Sequence, residues 1–265
     1  MNNLIHIKNA VVAEWLKSRG SRLLLTTALL PVLVTAIIAL LYYYTVGAES
    51  GAGPSNPWPA LVNRTFNILC FVILPMAVIM ITSQSMQIEQ KANAWKQLFT
   101  YPAPRWTVMT GKYLFTLALV IAILLLIAPL MIINGWLLGW IKPQLEFHAF
   151  AFDWGVLTRA ILETLAATSS IFAVQFALAW LLPNYTLPIL IGMFSTVVFS
   201  SLADGWSKSI YVPYAYPMLR VHYSRGALNV ADWAGWPVFL WYSLAYFLAI
   251  SIFVFFYSAY MKDKA

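Results

Sequence analysis

The chain has 265 residues, of which 62% are hydrophobic and only 9% are charged. Soluble domains carry about 25% charged residues, so this composition excludes a water-soluble fold and indicates an integral membrane protein. The 16 Lys and Arg outnumber the 9 Asp and Glu, and in a membrane protein such an excess reports topology before it suggests nucleic-acid binding. The single cysteine, Cys70, excludes a disulfide framework and a cysteine-based metal site within the chain.

Residues 1–21 have the pattern of an amphipathic helix. Apolar residues recur every three or four positions, and the charged residues fall elsewhere on the helical wheel; the apolar set is Leu4, Ile7, Val11 and Trp15, and the charged set is Lys8, Glu14, Lys17 and Arg19. Such a helix is typical of the membrane interface, although the pattern also fits an ordinary soluble helix. The pattern of a cleavable secretory signal is absent.

Residues 22–265 are predicted to form a single all-α transmembrane domain, because the apolar runs match the roughly 20 residues that a membrane-crossing helix needs. The first three spans are expected near 23–46, 62–83 and 112–140. The uncharged run 164–203 is long enough for two crossings, and the turn-forming stretch 183–188 divides it. The remaining spans are therefore expected near 157–181, 187–204 and 235–260, which makes six.

The charge distribution orients these spans. Ten of the 16 Lys and Arg fall on the side that holds both termini, together with three acidic residues, whereas the other side has six basic and six acidic residues. Because cytoplasmic loops carry the excess of Lys and Arg, both termini are predicted to be cytoplasmic.

No pattern of catalytic or metal-binding residues is found. The three His residues do not form a zinc motif, and no nucleophile elbow or phosphate-binding loop is present. The sequence therefore predicts a protein without catalytic residues, metal ligands or a bound cofactor.

The segment between the second and third spans is the most informative. Residues 87–100 are predicted to form a short helix that Pro102 and Pro104 end. Trp95, Leu98 and Phe99 share one face of that helix. An exposed amphipathic helix with a bulky aromatic residue suits insertion into a groove on a partner protein, and it equally fits an anchor in the lipid interface.

This segment resembles the cytoplasmic loop of type-2 ABC exporter permeases. The shared features are Glu89, the run 93–96, Leu98, Pro102 with Arg105, and the Gly111-Lys112 pair that opens the third span. The chain departs from the family at Ala103-Pro104, where a Ser often precedes the Arg. The likeness extends over nearly the whole chain, since those permeases have about six spans, an N-terminal interfacial helix and a longer external segment before the last span.

The resemblance implies a permease subunit of an ATP-driven exporter in the bacterial plasma membrane. Its partners would be a second permease, in a homodimer or heterodimer, and separate ATPase subunits that hold ATP and Mg²⁺. In its small size the chain is most similar to the peptide-antibiotic immunity permeases of this family. The implied ATPase-binding residues of the coupling helix are Glu89, Lys91, Trp95, Lys96, Leu98, Phe99 and Arg105.

Two features leave alternatives open. Glu163, with Arg159 one turn earlier, is either a transport-path residue or an internally satisfied ion pair near the outer interface. The aromatic connection 204–232 is either a partly re-entrant lid or an aromatic belt on the outer surface. A stand-alone secondary transporter or channel is the alternative function.

Overall fold

The structure is a computed structural model that describes residues 2–46, 56–91, 105–182 and 184–260. Helices make up most of it: α1 (Asn2–Ser18), α2 (Arg22–Val46), α3 (Pro57–Ile68), α4 (Leu74–Lys91), α5 (Arg105–Ile141), α6 (Trp154–Leu181), α7 (Thr186–Leu202), α8 (Tyr216–Ser224) and α9 (Val238–Tyr260). A π-helical turn, Leu69–Ile73, joins α3 to α4. Two short strands, β1 (Asp232–Trp233) and β2 (Trp236–Pro237), form an antiparallel hairpin that pairs Asp232 with Pro237.

Within the described residues, five helical segments are long and apolar enough to cross a membrane: Leu23–Thr45, Pro57–Ile88, Trp106–Ile141, Trp154–Leu181 and Val238–Tyr260. The sixth predicted span, 187–204, corresponds to α7, an apolar helix of 17 residues. At about 1.5 Å per residue α7 is about 25 Å long, slightly less than the roughly 30 Å of a hydrocarbon core.

Several helices extend beyond the spans expected from the sequence. The helix that contains the second span begins at Pro57, because the Asn56 side chain accepts a hydrogen bond from the Trp58 N–H and proline suits the first helical position. The helix therefore begins five residues before position 62, the start expected from the sequence. The helix of the third span begins at Arg105 rather than near residue 112.

The predicted coupling helix, 87–100, is only partly covered. Residues 87–91 are the last turn of α4 and continue the second span directly. Trp95, Lys96, Leu98 and Phe99 lie outside the described residues.

Helix α6 lies at the centre of the bundle, between α4 and α9. Small side chains, including Ala166, Ala167 and Ser170, allow the neighbouring backbones to approach closely. Ser243 of α9 donates a hydrogen bond of 2.6 Å to the Ala166 carbonyl oxygen. Helices α1 and α2 pack on the other side of the bundle, against α5.

The bundle has two ends, which we name by the chain segments that meet there. At the near end α1, the last turns of α4 and α9 and the first turns of α5 lie together. At the far end the connection 142–153 covers the start of α3. Buried Trp58 fixes that connection, since its indole N–H donates to the carbonyl oxygens of Phe147 and Phe150 at 3.1 and 3.2 Å.

Candidate functional site

The described part of the bundle contains two buried charge clusters, and the near-end cluster joins α1 to α5. The Lys112 ammonium lies 2.5 Å from Oε2 of Glu14, and both side chains are almost completely buried. Lys112 also donates to the carbonyl oxygen of Ser85 in α4 at 3.2 Å. The Ser85 hydroxyl in turn lies 3.0 Å from that of Thr116. One buried cation therefore connects three helices.

The position of Glu14 corrects the expectation that it lies on the polar face of the N-terminal helix. It points into the bundle, and Lys17 adds a second ion pair at 2.8 Å. The apolar residues Ile5, Val12 and Leu16 are about half exposed, as befits a face in contact with lipid. The buried carboxylate is tolerated because two ammonium groups compensate it.

The electrostatics of Glu14 favour its charged form. Burial by itself raises the pKa of a carboxyl group. The Coulombic attraction of Lys112 and the hydrogen bonds from Lys112 and Lys17 outweigh burial here, so the pKa of Glu14 lies below its ordinary value of 4.5.

Close contact between α1 and α5 depends on Gly111. A Cβ atom at this position would lie 2.5 Å from the Cβ of Ala10 and 3.1 Å from its backbone carbon. A side chain larger than hydrogen would therefore separate the two helices and lengthen the Glu14–Lys112 pair. This gives a physical reason for the Gly-Lys pair that the sequence places at the start of the third span.

The near-end cluster adjoins the segment predicted to bind the ATPase. Glu89 and Lys91 lie in the last turn of α4, and Arg105 is the first residue of α5. These two helix ends border residues 92–104, which include Trp95. Lys112 lies about two turns into α5, and Ser85 lies about two turns before the end of α4.

The far-end cluster contains both residues of the predicted pair Arg159–Glu163. The Arg159 Nε donates to Oε1 of Glu163 at 2.7 Å, as expected from their spacing on α6. Arg220 of α8 adds a second contact, because its Nε lies 3.6 Å from the other carboxylate oxygen. Glu163 and Arg220 are buried, whereas the Arg159 side chain is 56% exposed.

Arg220 also connects α8 to α3. It donates to Oδ1 of Asn67 at 3.0 Å, and the same oxygen accepts from the Ser224 hydroxyl at 2.8 Å. The guanidinium lies 5.8 Å from the centre of the Phe66 ring. Sequence reasoning missed Arg220 and Asn67, because nothing in the local pattern signals a partner that is remote in the chain.

The connection between α7 and α9 reaches into the bundle. It contains the 3₁₀ turns Ser207–Tyr211 and Pro213–Ala215 as well as α8. The Tyr214 hydroxyl donates to Oε1 of Gln175 at 2.9 Å, and the Ser170 hydroxyl donates to the Pro213 carbonyl oxygen at 3.3 Å. Ser170 and Gln175 lie about 24 and 32 Å along α6 from its first residue. These contacts favour the re-entrant alternative, which stays a prediction, and we refer to residues 204–232 as the re-entrant connection.

Gln175 also fixes the start of α7. Its Nε2 donates to the Pro188 carbonyl oxygen at 2.5 Å. A Cβ atom at Gly192 would lie 2.7 Å from the Gln175 side-chain oxygen, so the glycine provides the space for this amide. The buried amide therefore links α6, α7 and the re-entrant connection.

Among the residues that the structure describes, no group of three or more His, Cys, Asp or Glu is arranged to hold a metal ion. A search of curated proteins found no match for the chain. The sequence model of the family described as "ABC-2 family transporter protein" matches residues 10–199, most of the chain. The chain therefore belongs to the ABC-2 transporter permeases, the non-catalytic transmembrane subunits of ABC transporters, which associate with an ABC ATPase.

Proposed function

We propose that this permease forms the translocation path of an ATP-driven exporter together with a second permease subunit. Residues 87–100 form the coupling helix that docks on the ATPase. ATP and Mg²⁺ bind to that ATPase, and the permease itself holds no cofactor.

The observation that carries this proposal is the contact of Glu14, Lys112 and Ser85. It ties α1, α4 and α5 together within about two turns of both borders of the segment 92–104. A force on that segment would move three helices as one unit rather than bend a loose loop. Because packed interfaces switch between discrete arrangements, such a unit can transmit ATPase closure to the spans.

The proposal includes six spans with both termini in the cytoplasm of a bacterial cell. The apolar character of α7 supports its assignment as the fifth span, despite its length of 17 residues. The excess of Lys and Arg on the side of the termini supports the orientation. A role in peptide-antibiotic immunity stays a prediction from the size of the chain.

The alternative, a stand-alone secondary transporter, needs an ionisable group inside the bundle that can change its charge during transport. Glu163 was the candidate in the sequence. Its carboxylate forms ion pairs with Arg159 and Arg220, and such pairing with two other helical residues suits a structural role.

The test is to replace Trp95 or Leu98 with Ala in the assembled transporter. The predicted helix places both on one exposed face, so each change should release the ATPase or abolish its stimulation while thermal unfolding of the permease is unchanged. Trp140→Ala is the matched control, because Trp140 is 72% exposed at the far end. Normal co-purification and ATPase stimulation in both variants would contradict the assignment of the coupling helix.

A further inference from the structure

A groove at the far end lies between the π-helical turn, the second half of α7 and α8. Its volume is about 200 Å³ and it is open on one side. The residues that define its character are Phe71, Val72, Thr196, Ser200, Asp204 and Met218. It lies apart from the near-end charge cluster and from the predicted coupling helix.

One wall of the groove is polar. Thr196, Ser200 and Asp204 are spaced four residues apart, so they lie in a row along one face of α7 and its C-terminal extension. Polar and ionisable side chains at membrane depth are costly against lipid, and they usually face a water-filled cavity or a polar partner. Thr196 is buried and its hydroxyl donates to the Gly192 carbonyl oxygen at 2.8 Å, so Ser200 and Asp204 provide the polar groups that a ligand in the groove could reach.

The opposite wall is apolar and depends on the π-helical turn. Phe71 and Val72 belong to that turn, and the Phe71 side chain is 52% exposed. Met218 of α8 completes the apolar surface. A π-helical turn interrupts the regular hydrogen bonding of a helix, and such turns frequently occur at functional sites.

The electrostatics of the groove favour a cation. The Asp204 side chain is 81% exposed, and its carboxylate lies 4.0 Å from Nε2 of His222. No Lys or Arg among the residues that the structure describes lies within ion-pair distance of it. Asp204 also lies two residues after Leu202, the C-terminal end of α7, where the helix dipole contributes partial negative charge. Glu163, by contrast, is neutralised by two arginines.

We propose that this groove binds a cationic amphiphile, with Asp204 as the counter-ion of its positively charged group. The apolar part of the ligand packs against Phe71, Val72 and Met218, and the Ser200 hydroxyl lies beside the charged group. The inference rests on the proposed function, because it assigns a substrate class to the translocation path of the permease. An anionic ligand of the same shape is rejected by the same carboxylate.

The experiment uses the full chain in nanodiscs without ATPase or ATP, so its outcome does not depend on coupling. Binding of octyltrimethylammonium and of octanesulfonate, which carry opposite charges on the same chain, is measured by titration calorimetry against empty nanodiscs. The cation should bind saturably to the wild-type permease, and the anion should show only the background of lipid partition.

Two variants test the site and one controls it. Asp204→Asn should weaken binding of the cation about fivefold, as expected for loss of one exposed ion pair. Ser200→Phe keeps the carboxylate but fills the groove, so it should abolish saturable binding. Glu146→Gln removes an exposed carboxylate of the far-end connection outside the groove and should bind like the wild type. Equal binding of both ions to the wild type, or unchanged binding in Asp204→Asn, would overturn the proposal.

Discussion

Nε of Arg220 lies 3.6 Å from the Glu163 carboxylate, and this contact joins the re-entrant connection to the centre of the bundle. The two residues belong to α8 and α6, and each is almost completely buried. Arg159 satisfies the other carboxylate oxygen from the exposed side. The pair therefore anchors α8 through charge as well as through its apolar neighbours.

This arrangement predicts unequal costs for its members. Glu163→Gln leaves the Arg220 guanidinium buried without a counter-ion and should cost about 3–5 kcal/mol. Arg220→Met should cost less, because Glu163 keeps Arg159 and Asn67 keeps the Ser224 hydroxyl. Arg159→Met should cost at most about 1 kcal/mol, since its side chain is largely exposed.

These costs are measured as free energies of unfolding in a detergent titration. The double variant Glu163→Gln/Arg220→Met provides the control, because it removes both buried charges and should be more stable than Glu163→Gln alone. If Arg159→Met is as destabilised as Glu163→Gln, then Arg220 is not the principal partner of Glu163.

Gly111 should set the distance between α1 and α5. Gly111→Ala places a methyl group 2.5 Å from the Cβ of Ala10, so we expect a loss of about 1–3 kcal/mol from overpacking. Adding Ala10→Gly should restore part of that stability. The recovery should be incomplete, because the new Cβ at position 111 would still lie 3.1 and 3.2 Å from the backbone of residues Ala10 and Val11.

The matched control is Gly20→Ala, where a new Cβ meets no atom within 4 Å. Unfolding free energies of the three variants and the wild type, with ATPase stimulation in the assembled transporter, provide the measurement. An equal effect of the substitution at both glycines would show that contact with Ala10 is not the cause.

The sequence predicted the five helices that are long and apolar enough to cross a membrane, because the interactions that form them are local. Inside a bilayer the backbone must satisfy its own hydrogen bonds, so an uncharged run of about 20 residues has little choice but to form a helix. The i, i+4 pair Arg159–Glu163 was predictable for the same reason, since helix geometry alone brings the two side chains together.

The two charge clusters depend on contacts between distant segments. Glu14 was expected on the polar face of α1 because a lone carboxylate avoids burial, yet Lys112 reverses that preference. Arg220 lies in a connection whose path into the bundle depends on Tyr214 and Gln175. No local period of hydrophobicity encodes these pairings, so only the folded chain reveals them.

Gln175 should act as a shared partner of α7 and the re-entrant connection. Gln175→Leu leaves the Tyr214 hydroxyl without its acceptor, which should cost about 1–3 kcal/mol. Tyr214→Phe should cost less, because the amide of Gln175 keeps its bond to the Pro188 carbonyl oxygen. The double variant should be clearly more stable than the sum of the two losses predicts.

Tyr246→Phe is the control for this cycle. Its hydroxyl donates to the Tyr211 carbonyl oxygen and does not involve Gln175. The loss of unfolding free energy in Tyr246→Phe should add to the loss in Gln175→Leu within about 0.5 kcal/mol in the same titration. Additive losses for Gln175 and Tyr214 would show that their hydrogen bond contributes nothing to stability.

Docking of α1 should depend on pH through Glu14. Because the pKa of Glu14 is lowered in the folded protein, its charged form stabilises docking fully above the ordinary value of 4.5. That stabilisation is lost as the pH falls through the lowered pKa, since the protonated carboxyl no longer attracts Lys112.

A spin label at Ala13→Cys, on the exposed face of α1, reports docking through the mobility of the helix that carries it. Because the label moves with α1, its mobility should stay constant from about pH 8 to about pH 5 and increase only in more acidic solution. In Glu14→Gln the same label should show the increased mobility at all these pH values, because the neutral amide cannot form the ion pair. An acid transition of equal size in this variant would assign the pH dependence to another group.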